Sequence, residues 1–173
     1  MSKTLIEVKN LKKYFPIKKG VFKSTVGHVK AVDDVSFKIN EGKVLGVVGE
    51  SGCGKSTLGR TMLKLLSPTE GEMIYEDKNV YDLNKRDLNH MRTKMQIIFQ
   101  DPYSSLNPRL PVSEIVGEAM MQHKIVSNKH EMQDKVIEII GKCGLFPEQA
   151  SRYPHQFSGG QRQRICIARA LAL

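Results

Sequence analysis

Gly46-Val47-Val48-Gly49-Glu50-Ser51-Gly52-Cys53-Gly54-Lys55-Ser56-Thr57 decides the fold of this chain. From Gly49 onward it fits G-x-x-x-x-G-K-[ST], the pattern of a phosphate-binding loop. The apolar run Lys43 to Val48 before it reads as a strand buried on both faces. After it, Leu58, Met62, Leu65 and Leu66 fall at helical spacing from Lys55, and Pro68 closes the segment. Gly49, Gly52 and Gly54 permit the tight turn that converges backbone N–H groups on phosphate oxygens. Lys55 supplies a point charge between β- and γ-phosphates, Ser56 a hydroxyl for magnesium, and the following helix the positive end of its dipole. Glu50, Ser51, Cys53 and Thr57 complete the candidate nucleotide-binding set. A glycine-rich turn without a ligand is the bland alternative, and the strand–loop–helix setting argues against it. Cys53 occupies a permissive loop position, and nothing else in the sequence marks a reactive thiol.

Working outward, the 173 residues fit one domain, with 40% apolar and 26% charged residues. That balance excludes collagen-like, mucin-like and wholly disordered chains. Cys53, Cys143 and Cys166 are too few and too scattered for a disulfide scaffold or zinc ribbon, and point weakly to a reducing compartment. No apolar run approaches bilayer-spanning length, and Met1-Ser2-Lys3-Thr4-Leu5-Ile6-Glu7 lacks the apolar core of a secretory signal, so a soluble cytoplasmic domain is expected. The net charge of +9 favours anionic partners: nucleotides, nucleic acid or the inner face of a membrane. Lys12, Lys13, Lys18, Lys19, Lys23 and Lys30 cluster in a stretch, Val8 to Val32, that contains no acid, and a solvated basic surface is the plain reading of such a run.

Strands are expected at Leu5 to Leu11, Val32 to Ile39, Met73 to Tyr75 and Val80 to Tyr81, with a basic, glycine-containing stretch joining the first two. Helices are expected over Lys85 to Thr93, from Ser113 through Met121, and from Asn128, whose pairing with Glu131 resembles a capping box. Gly144 is the natural stop of the last. Met95 to Phe99 reads as a compact strand broken by Asp101-Pro102. A final helix begins after Ser158 with Ile165, Ala168 and Leu171 on one stripe. The alternation predicts an α/β domain with antiparallel additions near the N-terminus.

Phe157-Ser158-Gly159-Gly160-Gln161-Arg162-Gln163-Arg164 opens that helix, where Ser158 alone would be an ordinary N-cap. Beside a phosphate loop, it resembles the signature sequence of ATP-binding-cassette (ABC) proteins, with Phe157 in place of the usual leucine. Lys55 and Ser158 lie 103 positions apart, which suits a compact transporter cassette; no heptad run separates them. Ile97 to Arg109, Tyr153-Pro154-His155-Gln156 and Gly46 to Lys55 resemble the oligopeptide and dipeptide importer ATPases. The resemblance runs from Leu5 to Leu173 and implies an α/β P-loop NTPase core with an antiparallel β subdomain and a helical subdomain carrying the signature. The implied divisions are about 1–95 with the phosphate loop, about 100–157 with the Q-loop and helical subdomain, and 158–173 as signature helix.

Carried over, Gln100 is the Q-loop glutamine that touches magnesium and the attacking water, making Ser56 and Gln100 the implied Mg2+ contacts. Phe15 resembles the adenine-stacking aromatic, with Tyr14 the runner-up. Ser158, Gly159, Gly160 and Gln161 would meet the γ-phosphate of ATP held by an opposite subunit. The implied cofactors are ATP and Mg2+. The implied partners are a second ABC ATPase subunit, two integral membrane permease subunits and, indirectly, an extracytoplasmic substrate-binding protein, at the cytoplasmic face of the membrane. Walker B aspartate, catalytic glutamate, D-loop and switch histidine cannot be assigned, and His155 precedes the signature. The resemblance therefore implies the N-terminal part of a longer subunit, with an open sheet edge, that binds nucleotide and hydrolyses it poorly alone. Peptide uptake is the expected function, with nickel or glutathione import, a nucleic-acid- or ribosome-associated cassette, or a regulatory nucleotide binder as alternatives.

Overall fold

The computed structural model describes residues 3–21 and 23–173; Met1 and Ser2 of the N-terminal reading lie outside them. The chain forms two compact units, Met1–Met91 and Arg92–Leu173. Among the described residues no helix is long and apolar enough to cross a membrane.

The first unit is a four-stranded antiparallel sheet in the order β2-β1-β3-β4, with one main helix. β1 spans Thr4–Lys19 and β2 Ser24–Asn40, so the basic stretch expected to join two short strands is itself strand, folded as a hairpin. β3 covers Glu70–Tyr75 and β4 Lys78–Asn79; Val80–Asp82 is a 3-10 turn where strand was expected. Alternation places Ile6 and Val8 on the buried face, and a bulge then moves Leu11 onto that face in place of Asn10. Asn10 and Asp34 both adopt positive φ there, and the Asn10 amide donates to Asp34 Oδ1 at 2.9 Å. Val32, Leu58, Met73 and Val80 complete this core.

Helix α1, Lys55–Met62, lies against β1 and β2 and turns out of helix at Lys64, which has φ +51. Lys64 Nζ then donates to the carbonyls of Tyr81 (2.8 Å) and Leu83 (3.2 Å), and the Tyr81 hydroxyl donates to Thr61 O at 3.2 Å. Burial pushes the Tyr81 phenol up to about 12 from an ordinary 10.0. Because the folded value is raised, Tyr81 contributes its stability fully below pH 10 and loses it as pH rises through about 12. In alkaline denaturation, Tyr81→Phe is expected to flatten this fall; an unchanged pH slope would contradict the assignment.

The second unit is helical: α2 (Lys85–Lys94) straddles its boundary, followed by α3 (Pro102–Ser105), α4 (Val112–Gln122), α5 (Lys129–Lys142) and α6 (Gly159–Leu171). Asn128 caps α5 as its sequence indicated, accepting from Glu131 N–H at 2.9 Å, while the Glu131 carboxylate accepts from Ser127 N–H at 2.8 Å. Gly144, at φ +75, ends it. Helix α4 starts one residue before Ser113: Pro111 is its N-cap, and Val112 N–H donates to Arg152 O at 2.9 Å. Val112, Val116, Met120, Val136, Ile140 and Ile165 form the centre of the core. Gly117 lets α4 approach α5, since an added Cβ would sit 2.5 Å from Met132 Cγ and Sδ. On α6, Leu171 is exposed, and Cys166 and Ala172 take the buried places beside Ile165 and Ala168.

The expected α/β combination of antiparallel sheet and helices is present. Two expected strands are not: residues 43–48 and 95–99 are unassigned, and Val44 and Val48 are 98% and 92% exposed. A strand is stabilised by its neighbours, and among the described residues neither segment has a ladder partner.

Candidate functional site

The phosphate loop leads directly into α1. Gly54 is the helix N-cap in a left-handed conformation, and no side chain caps the helix. An alanine here would place Cβ 2.0 Å from Ala31 O, so glycine lets the loop lie against β2. Lys55 Nζ folds back into the loop, donating to the carbonyls of Gly49 (2.8 Å) and Glu50 (2.6 Å), with Cys53 Sγ at 3.5 Å. The lysine is thus held over the loop mouth by main-chain acceptors, with no carboxylate among these contacts. Ser56 is exposed at the second helical position and Thr57 follows it. A cavity of about 390 Å³ opens beside the loop, lined by Ala31, Val32, Val48, Gly54, Lys55 and Leu58 among others. Uncapped helix N–H groups and an ammonium bonded only to main-chain carbonyls and a thiol fit an anionic, phosphate-bearing group.

The two candidate aromatics are in different states. Tyr14 is engaged: its hydroxyl donates to Asp33, and Lys30 Nζ lies 5.3 Å from its ring centroid. The Tyr14 and Lys30 hydrogen bonds hold the Asp33 carboxyl below its usual range, and Asp33 in turn raises the Tyr14 phenol. Phe15 is 36% exposed, with Lys13 Nζ over its ring at 4.9 Å. Sequence reasoning missed this Tyr14–Asp33–Lys30 network; the short spacing of Lys30 and Asp33 was its only signal.

In the second unit Gln100 is exposed at a bend. Asp101 accepts from Tyr103 N–H at 2.9 Å and caps α3; hydrogen bonds from Ser104 and Tyr103 hold its carboxyl low. α3 is tied to α6 by three contacts: Arg162 over the Tyr103 ring (5.0 Å), Ser105 Oγ with Cys166 Sγ (3.2 Å), and Arg169 Nη1 donating to Ser105 O (2.6 Å). Residues 162, 166 and 169 share one helical face, a polar spacing the sequence reading passed over.

Ser158 and Gln161 form a reciprocal capping box: Gln161 N–H donates to Ser158 Oγ at 3.3 Å, and Ser158 N–H to Gln161 Oε1 at 3.0 Å. Gly159 and Gly160 are exposed, and among the described residues an added Cβ at either meets nothing within 4 Å. Ser158→Ala is expected to lower stability by about 1 kcal/mol in urea denaturation. No change would mean the box contributes nothing. Among the described residues, no group of three or more His, Cys, Asp or Glu could hold a metal ion.

Residues 32–173 match the family model described as ABC transporter. The chain belongs to the ABC transporter family. Among its relatives, the oligopeptide transport ATP-binding protein AppF of Bacillus subtilis is 50% identical over 98% of this chain and 52% of its own length. The dipeptide transport ATP-binding protein DppF of Haemophilus influenzae is 48% identical over 98% of the chain and 51% of its own. Such relatives are the oligopeptide and dipeptide ATP-binding proteins expected from the motifs. The chain spans about half the length of these curated relatives. Among solved structures, the ATP-binding cassette MJ0796, a dimer bound to ADP and Pi in a post-hydrolysis state, matches with a TM-score of 0.81. It is 31% identical over 97% of this ABC chain and 69% of its own.

Proposed function

We propose that this chain binds ATP as part of the ATPase subunit of an importer whose cargo is peptides. The observation that carries the reading is the geometry at Gly54 and Lys55: an uncapped helix start, a glycine forced against Ala31 O, and an ammonium over the loop. Lys55 exchanges two carbonyl acceptors for phosphate oxygens, and N–H groups from Gly49 to Thr57 wrap the same anion. Ser56 offers its hydroxyl to Mg2+, which when bound neutralises phosphate charge. Phe15 is the better adenine platform, because the Tyr14 hydroxyl is already committed to Asp33. Gln100, exposed before α3, is assigned the role of the switching amide of the Q-loop.

The signature residues bear on assembly. The openness around Gly159 and Gly160 means that nothing among the described residues requires their lack of side chains. A requirement from outside the chain fits a γ-phosphate presented by a second ATPase subunit to Ser158, Gly159, Gly160 and Gln161. MJ0796 being dimeric with ADP and Pi supports this arrangement. The names of AppF and DppF, oligopeptide and dipeptide transport ATP-binding proteins, support peptides as cargo; membrane permease subunits above the ATPase are part of the same proposal.

The cargo reading is tested by uptake of labelled oligopeptides in cells whose own copy carries Lys55→Ala. Peptide uptake is expected to fall to background. Normal peptide uptake with loss of nickel or glutathione uptake would transfer the reading to those cargoes.

A further inference from the structure

β3 pairs with β1 only as far as Lys12, whose partner is Glu70. Tyr14 N–H still donates to Thr69 Oγ1 at 2.8 Å, and Ala31 lies against Gly54; beyond them β1 and β2 continue as a pair, from Phe15 paired with Val29 to Lys19 paired with Ser24. Five residues of β1, Phe15 to Lys19, extend about 15 Å as a two-stranded ribbon with β2. An unsupported ribbon is marginal in water and gains from a surface to lie on.

Its end is both cationic and apolar. No Asp or Glu occurs from Val8 to Val32, and every cationic residue before Arg60 other than histidine is a lysine. Lys18 and Lys19 pair across the ribbon with Thr25 and Ser24, not with acids. Lys18, Lys19 and Lys23 are exposed and form no ion pair among the described residues. In the same stretch Ile17, Val21 and Val26 are 41%, 94% and 57% exposed. Aliphatic side chains flanked by flexible ammonium groups suit the boundary of an anionic bilayer, where the first enter acyl chains and the second meet headgroups. The forked guanidinium groups that read nucleic-acid phosphates are missing from this part of the sequence.

We propose that the ribbon end, formed by Ile17 to Lys19, Val21 and Lys23 to Val26, is a docking surface for an anionic lipid bilayer. It does not depend on the nucleotide reading, and ribbon variants should bind ATP normally. The test is cosedimentation of the chain with phosphatidylglycerol-containing vesicles, against pure phosphatidylcholine vesicles. Each lysine is worth on the order of fivefold in partitioning, so Lys18→Glu/Lys19→Glu/Lys23→Glu should cost about a hundredfold. Val21→Asp/Val26→Asp should also release the chain, and raised salt should weaken binding as the Debye length falls from about 10 Å to about 3 Å. Lys78→Glu/Lys85→Glu/Arg86→Glu makes the same change in net charge elsewhere and should retain binding. Equal loss in that control, undiminished binding by the valine variant, or binding of RNA without binding of anionic vesicles would overturn the proposal.

Discussion

Replacing Lys55 with alanine is expected to weaken ATP binding roughly ten- to a hundredfold in calorimetric titration. Hydrogen bonds made by a charged group contribute about 1.5–3 kcal/mol, and about 1.4 kcal/mol is tenfold. The effect should fall on binding and leave the fold intact. Lys55 Nζ spends its hydrogen bonds on the carbonyls of Gly49 and Glu50, in a loop open to water that can replace it. A variant with unchanged circular dichroism and unchanged ATP affinity would remove Lys55 from the site. A variant that unfolds would assign the lysine a structural role as tether of the loop.

The largest loss of stability is expected from Ile165→Ala. Ile165 is fully buried where α6 packs on α4 and α5, and truncating such a side chain costs about 2–5 kcal/mol. That is a large share of the roughly 5–15 kcal/mol by which domains are stable. Helix α6 also presents Ser158 to Gln161 at its start, so loosening its middle should loosen the signature end. Urea denaturation reads the first effect; a loss below about 1 kcal/mol would mean the site collapses around the smaller residue.

Local signals were the most legible. Asn128 with Glu131, and Ser158 with Gln161, are four-residue patterns whose hydrogen bonds close within one turn, and both form. Gly54 was readable as a phosphate-loop glycine, but its contact with Ala31 O, from a residue 23 positions earlier, was not. Pairing is non-local, and there the reading fell short. Lysines and glycines between Leu11 and Val32 resemble a connection, yet the bulge at Asn10 and Asp34 lets both strands run on into the ribbon. The run Lys43 to Val48 shows the converse. Its apolar content specifies buried surroundings, and without a ladder partner among the described residues it is neither strand nor core. On α6 the period was right, but Leu171 was assigned to the core where Cys166 and Ala172 lie. The polar face of Arg162, Cys166 and Arg169 escaped notice because α3, the segment it holds, is a single turn that opens on Pro102.

The central claim is that the loop from Gly49 to Thr57 holds the phosphates. Hydrogen–deuterium exchange of the chain, with and without saturating MgATP, tests it most directly. Amides from Gly49 through Leu58 should exchange more slowly with nucleotide, while those of α5, Lys129–Lys142, stay unchanged. Exchange in the loop that is indifferent to bound ATP, or protection confined to other segments, would contradict the assignment.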